Sequence, residues 1–277
     1  MTSTIPLKTY HHQGAKIIVG LDPSEKILTS WGLPVSANGL EIFCAQCVEA
    51  LTLVPAIVKF QAAFFERFGS QGVHHLETAT RQFRDSGIPV ILDAKRGDIG
   101  STVEAYANAY IGNADFPLSG LTVNPYLGFD ALKPFFERAL AHEFTLFVVA
   151  RSSNPEGDLL QTAVTNNGES VAAHICDSIA ALNEAYGAPI AGAVLGATQP
   201  QTFADLARRL DGAPILAPGI GAQGATLKEL QEMAGSYYRQ TIPAASRAIL
   251  KHGDTAQNMA RAIDAMSAED RNLRTSS

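Results

Sequence analysis

An α/β fold, a closed (β/α)8 TIM barrel in a single domain spanning 1–277, is what three features of this sequence predict. Short strand-like runs alternate with longer amphipathic stretches from end to end. Eight such pairs in about 250 residues match a closed barrel, whereas an open doubly wound sheet usually stops at fewer strands. Reactive side chains also stand at the ends of the apolar runs, where barrel strands pass into helix-leading loops.

The candidate strands fall at 17–21, 56–60, 90–93, 120–123, 145–150, 191–195, 214–217 and 242–246. Each is short and almost wholly apolar, as strands covered on both faces must be. Between them apolar residues recur at helical spacing over 40–51, 72–86, 102–111, 131–142, 170–186, 202–210 and 226–233, with a last helix at 255–266. Gly and Pro punctuate most junctions. Two connections are long, 23–38 after the first strand and 152–168 after the fifth, and both leave the same barrel face. Loops of that length in compact domains are often lids or binding loops. The polar tail from about 268 to 277 is expected to fray. No linker, charge block or low-complexity run divides the chain.

Composition narrows the function. With 46% hydrophobic and 17% charged residues the chain can bury a full core. A net charge of −6 argues against broad wrapping of nucleic acid or of an anionic membrane, and no apolar run approaches the length of a bilayer span. The N-terminus shows no basic end leading into an apolar segment, and three cysteines are too few and odd for a disulfide framework, so a cytoplasmic location is expected. Cys44 and Cys47 form a lone CxxC in a helical stretch with no second ligand pair, which reads as two small buried residues. The adjacent pairs His11–His12 and His74–His75 lack metal-ligand spacing and read as surface or capping residues.

Strand one ends in Asp22, strand two in Lys59, strand three in Asp93, Lys95 and Asp98, strand four in Asn124, strand five in Arg151, Ser152 and Ser153, and strand eight in Ser246 and Arg247. An ion-pair cluster closing the barrel mouth would produce the same pattern as a catalytic site. Period-two alternation puts Asp93 and Lys95 on one side, and Lys59 on the neighbouring strand extends the alternation of charge. Gly97 and Gly100 permit a sharp turn that carries Asp98 to the same mouth or across an interface to a partner's site. At ~4 Å each charge pair is worth roughly 4 kcal/mol at an effective dielectric of 20, so such a site is poised to expel negative charge. After strand seven, the stretch LAPGIGAQG (216–224) can aim backbone N–H groups at an anion, and Arg247 can add a bidentate fork. That pairing is how barrels often hold a substrate phosphate. No GxSxG, Walker A or complete dinucleotide fingerprint is present.

These residues resemble the orotidine 5′-phosphate decarboxylase family, in particular its longer bacterial (type 2) branch. The most specific block is LDAKRGDIGST (92–102), with its Asp-x-Lys-x-x-Asp-Ile pattern. Around it stand VKFQAAFFERFG (58–69), TVNPYLGFD (122–130), RSSNP (151–155), LGAT (195–198), APGIGAQG (217–224) and SRAIL (246–250), in the family's order. The resemblance implies a homodimeric carboxy-lyase with shared active sites that converts orotidine 5′-monophosphate (OMP) to UMP and CO₂ in pyrimidine biosynthesis, with no metal or organic cofactor and no nucleic-acid or membrane partner. It implies that Asp22 and Lys59 bind the ribose and that Asp93 faces the departing carboxylate. Lys95 would stabilise and protonate the C6 carbanion, while Asp98, Ile99 and Thr102 would be lent by the neighbouring subunit. Ser153 would contact the pyrimidine, Pro218 and Gln223 would belong to the phosphate loop, and Arg247 would bind the phosphate. Glu156 stands where the family commonly has a small residue, and Ser246 where shorter relatives have Gly. A metal-dependent phosphosugar aldolase or epimerase, or a noncatalytic nucleotide-binding barrel, are the alternatives on this fold.

Overall fold

The structure, a computed structural model, describes residues 5–7, 16–198, 200–221 and 224–276. Eight strands, β1 (Ile18–Leu21), β2 (Ile57–Gln61), β3 (Val90–Arg96), β4 (Gly120–Val123), β5 (Thr145–Arg151), β6 (Ala191–Leu195), β7 (Ile215–Pro218) and β8 (Thr241–Ala245), pair in sequence order into a closed parallel barrel. The helices are α1 (Glu25–Ser30), α2 (Ala37–Leu53), α3 (Ala63–Glu66), α4 (Gly69–Asp85), α5 (Gly100–Tyr110), α6 (Lys133–Ala141), α7 (Asp158–Gln161), α8 (Val171–Tyr186), α9 (Pro200–Arg209), α10 (Leu227–Ala234), α11 (Arg247–Leu250) and α12 (Ala256–Thr275).

Side-chain alternation along the strands explains why the chain closes. Outward positions such as Val19, Val58, Leu92, Leu121, Val148, Ala193 and Ile215 join the large core between the barrel and its helices. Inward positions near the strand starts, Ile18, Ile57, Ile91, Phe147, Val194, Leu216 and Ile242, fill the barrel's interior as a separate cluster. One step further along, the inward positions turn polar: Ile18 leads to Gly20 and Asp22, Ile57 to Lys59 and Gln61, Ile91 to Asp93 and Lys95. Burial is thus satisfied below and chemistry is left at the C-terminal mouth.

All eight predicted strands are present within a few residues of their expected bounds. β3 is the exception in length, because an irregular end carries it on to Arg96. Both long connections are partly helical. The first holds α1, where Ser24 accepts the Ile27 N–H at 3.3 Å, and the second holds α7. Cys44 and Cys47 are buried in α2, and burial pushes the Cys44 thiol up to about 12, which agrees with packing residues. His74 and His75 lie on α4, while His11 and His12 fall outside the described residues.

The expected frayed tail is corrected: α12 stays helical to Thr275. Asp270 is fully buried and accepts hydrogen bonds from the Lys16 N–H at 3.0 Å, the Tyr238 hydroxyl at 2.8 Å and Arg274 Nε at 2.7 Å. Arg274 also donates to the Tyr238 and Thr241 carbonyls at 3.0 and 2.9 Å. Polar residues in the last turns therefore make a buried seam at the N-terminal end of the barrel, where a polar stretch alone reads as solvent-facing.

Candidate active site

The inward-facing polar positions line a cavity of about 280 Å³ at the C-terminal mouth. On its floor, opposite charges alternate. Lys59 Nζ lies 4.0 Å from Asp22 Oδ1 and 3.2 Å from Asp93 Oδ2, and Lys95 Nζ lies 2.6 Å from Asp93 Oδ1. Strand register alone sets Lys59 level with Ile91, one layer below Asp93, so its long stem climbs to reach the carboxylate. Burial alone would lower the Lys59 pKa, but the Asp22 and Asp93 carboxylates outweigh it and hold the ammonium above its ordinary value. Burial would likewise raise Asp93. Lys59, Lys95 and a hydrogen bond from Thr122 overcome it and lower the carboxyl to about 2.

Lys59 is 6% exposed, whereas the Lys95 side chain is 46% exposed. Lys59 is thus a fixed buried charge, and Lys95 presents its ammonium to the open cavity. The backbone of Lys95 sits at φ 48°, a left-handed conformation unfavourable for a side-chain-bearing residue. Its cause is the ladder between β3 and β4, in which Leu92 pairs with Leu121 and Arg96 with Val123, so that β3 carries extra residues between the two pairs. Asp93 and Lys95 come together as expected, but on an irregular strand end rather than a regular one. Asp22 Oδ1 is buried and accepts no hydrogen bond from the described residues.

Asp98, Ile99 and Thr102 do not line this cavity. The Asp98 carboxylate turns back to accept the Ile99 N–H at 2.8 Å, Ile99 is 60% exposed, and Thr102 is exposed on α5. Of the two alternatives left open for Asp98, delivery to its own mouth is not what the single chain shows. Gly100 makes the expected turn with φ 54°, but Gly97 is needed for a different reason, since a Cβ there would fall on the Asn124 carbonyl oxygen. Arg96 steadies this segment through an ion pair with Glu66 and a bond to the Tyr110 hydroxyl at 3.3 Å.

Across the cavity, Ser153 is joined by Ser152 and Asn154. Gln161 of α7 accepts the Ser152 N–H at 3.0 Å and donates to Ser152 Oγ at 2.8 Å, while Arg151 pairs with Asp158 at 2.6 Å, so α7 latches the loop to the end of β5. Glu156 is bound by Asn154 Nδ2 at 2.9 Å. At the far edge stand Pro218 and Arg247, the latter exposed at the start of α11. Gly221 has φ 79°, and a Cβ on it would lie 2.6 Å from the Ala248 Cβ, so only Gly lets this loop approach α11. Gln223 lies outside the described residues.

Gln61 and Thr122 are among the lining residues that escaped the sequence reading. Gln61 follows Lys59 by two and so faces inward, a signal that period two supplies. Thr122 carries no signal, because a β-branched residue in a strand is ordinary strand composition. Among the described residues no three His, Cys, Asp or Glu are grouped to hold a metal ion, and no helix is long and apolar enough to cross a membrane.

Comparison with known proteins places the chain's relatives. Residues 15–262 match the family model described as orotidine 5′-phosphate decarboxylase / HUMPS family. The chain is 46% identical over 264 residues to the orotidine 5′-phosphate decarboxylase of Salinispora tropica, covering 94% of each chain. It is 42% identical over 256 residues to that of Myxococcus xanthus, covering 91% of this chain and 89% of the relative. A crystal structure from Streptomyces avermitilis, provisionally named for the same enzyme, superposes with a TM-score of 0.87 at 41% identity, over 94% of this chain and 92% of that one.

Proposed function

The chain belongs to the orotidine 5′-phosphate decarboxylase / HUMPS family, and from that membership we propose how it decarboxylates OMP to UMP and CO₂ in pyrimidine biosynthesis, with Lys95 as the proton donor. The single observation that carries this reading is an exposed ammonium held 2.6 Å from a partly buried carboxylate inside the barrel mouth.

The C6–carboxylate bond of OMP breaks, CO₂ leaves, and the bonding pair stays on C6. A cation fixed beside that carbon stabilises the pair as it develops, and it need not reorganise to do so. The Lys95 ammonium then gives C6 a proton, and the neutral amine recovers one from solvent. Asp93 sits against the departing carboxylate and holds the Lys95 ammonium in place at 2.6 Å. Lys59 and Asp22 hold the ribose hydroxyls, and an Asp22 Oδ1 that accepts no hydrogen bond from the described residues supports such an acceptor role. Ser153 reads the pyrimidine, while Arg247 grips the phosphate with the loop of Pro218 and Gln223. Binding energy from that distant phosphate contributes to lowering the barrier at C6.

The active unit is a homodimer in which Asp98, Ile99 and Thr102 of the partner subunit complete each site. Their position outside their own cavity, with Ile99 exposed, supports the exchange. The reaction runs in the cytoplasm, a location supported by three buried free cysteines. The test is the fall in OMP absorbance on adding purified, metal-stripped protein in EDTA. Turnover is expected to persist; no fall in OMP absorbance, with or without a divalent ion, would favour the aldolase, epimerase or noncatalytic alternatives.

A further inference from the structure

Lys95 poses a local problem. Its backbone is left-handed, its strand ladder is interrupted between Leu92 and Arg96, and its N–H therefore has no regular strand partner. The side chain of Thr122, on the facing strand β4 and 1% exposed, supplies that partner: the Lys95 N–H donates to Thr122 Oγ1 at 2.9 Å. The same hydroxyl lies 2.8 Å from Asp93 Oδ1. An ionised carboxylate has no proton to give, so the direction is set and Thr122 donates to Asp93. Asp93 Oδ1 in turn accepts Lys95 Nζ at 2.6 Å. These three bonds close a ring in which Lys95 is held at both ends, by its backbone nitrogen through Thr122 and by its ammonium through Asp93.

We infer that Thr122 is a positioning residue for decarboxylation, its hydroxyl fixing both the strained backbone of Lys95 and the rotamer of the Asp93 carboxylate. This rests on the role proposed above for Lys95 and Asp93. Both hydrogen bonds of the hydroxyl go to the Lys95–Asp93 pair, and it acts through that pair. A hydroxyl does both jobs from this site, accepting one hydrogen bond and donating another within the space of a strand side chain. Valine has the same shape and can do neither. In its place the Lys95 N–H and one lone pair of Asp93 lose their partners in a nearly dry position. The strained turn and the carboxylate then relax independently, and the ammonium drifts from the point where charge develops.

The experiment compares wild type with Thr122→Val, Thr122→Ala and Thr122→Ser, measuring kcat and KM for OMP and the Kd for UMP. Since a misplacement of about 1 Å at a catalytic group can cost about 100-fold, Thr122→Val and Thr122→Ala should lower kcat by about 10- to 100-fold. KM and UMP affinity should stay within about threefold, because the loss falls on the chemical step rather than on ground-state binding. Thr122→Ser should recover most of the lost kcat. The Ser and Ala variants both lack the methyl group and differ in the hydroxyl alone, so their ratio decides the matter even if the Val variant does not fold. A kcat within about twofold of wild type for Val or Ala, a Ser variant as slow as Ala, or a loss carried wholly by KM would overturn the inference. A wild-type protein that binds UMP yet releases no CO₂ from OMP would instead overturn the catalytic reading beneath it.

Discussion

Lys95 and Asp93 carry opposite charges 2.6 Å apart, yet their surroundings give them different tasks. Half-exposed Lys95 is free to approach a ligand, whereas Asp93 is wedged between two ammonium groups and a hydroxyl. Removing the Lys95 ammonium should abolish the chemical step while leaving the pocket's shape. Lys95→Ala is expected to lose at least about 10²- to 10³-fold in kcat and to retain UMP binding, measured by CO₂ release and by titration. An unchanged rate would remove Lys95 from the mechanism. Asp93 also links the site to pH. Its folded-state pKa, about 2, lies below the ordinary 3.8, so it contributes stability above about pH 4 that is lost as pH falls through 2. Urea unfolding should show wild type exceeding Asp93→Asn by a margin that is constant near neutrality and shrinks below about pH 4. A margin that ignores pH over that range would contradict the charge assignment.

Among the elements, β3 and α12 show how far local irregularity reaches. The extra residues in β3 bend the strand end so that Lys95, Arg96 and the turn at Gly97 diverge toward the cavity, Glu66 and Asn124 respectively. At the other end of the barrel, α12 docks through Asp270 onto β1's approach and the segment before β8. Asp270→Ala leaves Arg274, the Tyr238 hydroxyl and the Lys16 N–H without their shared acceptor, and breaking a buried pair of this kind costs about 3–5 kcal/mol. The expected outcome is a urea midpoint shifted down by that margin with kcat for OMP little altered, since the seam lies at the end opposite the cavity. A neutral effect on stability would mean that the last turns of α12 contribute nothing.

For the molecule as a whole, the barrel collects five charged side chains at one mouth, and three further residues of the expected site point away from it. If those three serve a neighbour, two defective subunits can repair each other. Mixing Asp98→Ala with Lys95→Ala subunits gives mixed dimers with one intact site and one doubly defective site. Random exchange in a twofold dimer then predicts about a quarter of wild-type activity from two nearly dead proteins. Absence of recovery, with subunit exchange confirmed by mass, would confine each site to a single chain.

Strand number, the shared side of Asp93 and Lys95, and the gathering of Asp22, Lys59, Asp93, Lys95 and Arg247 at one end were legible from the sequence alone. Each depends on patterns that repeat every two or four residues, and side-chain direction follows from local backbone geometry. The Thr122 link to Lys95 and the burial of Asp270 were not legible. The first depends on how β3 slips against β4, and the second on which polar groups from residues 16, 238 and 274 converge on one carboxylate. Such meetings between residues far apart in the chain are settled by register and packing, which a local pattern does not encode, and so they belonged to the tertiary structure.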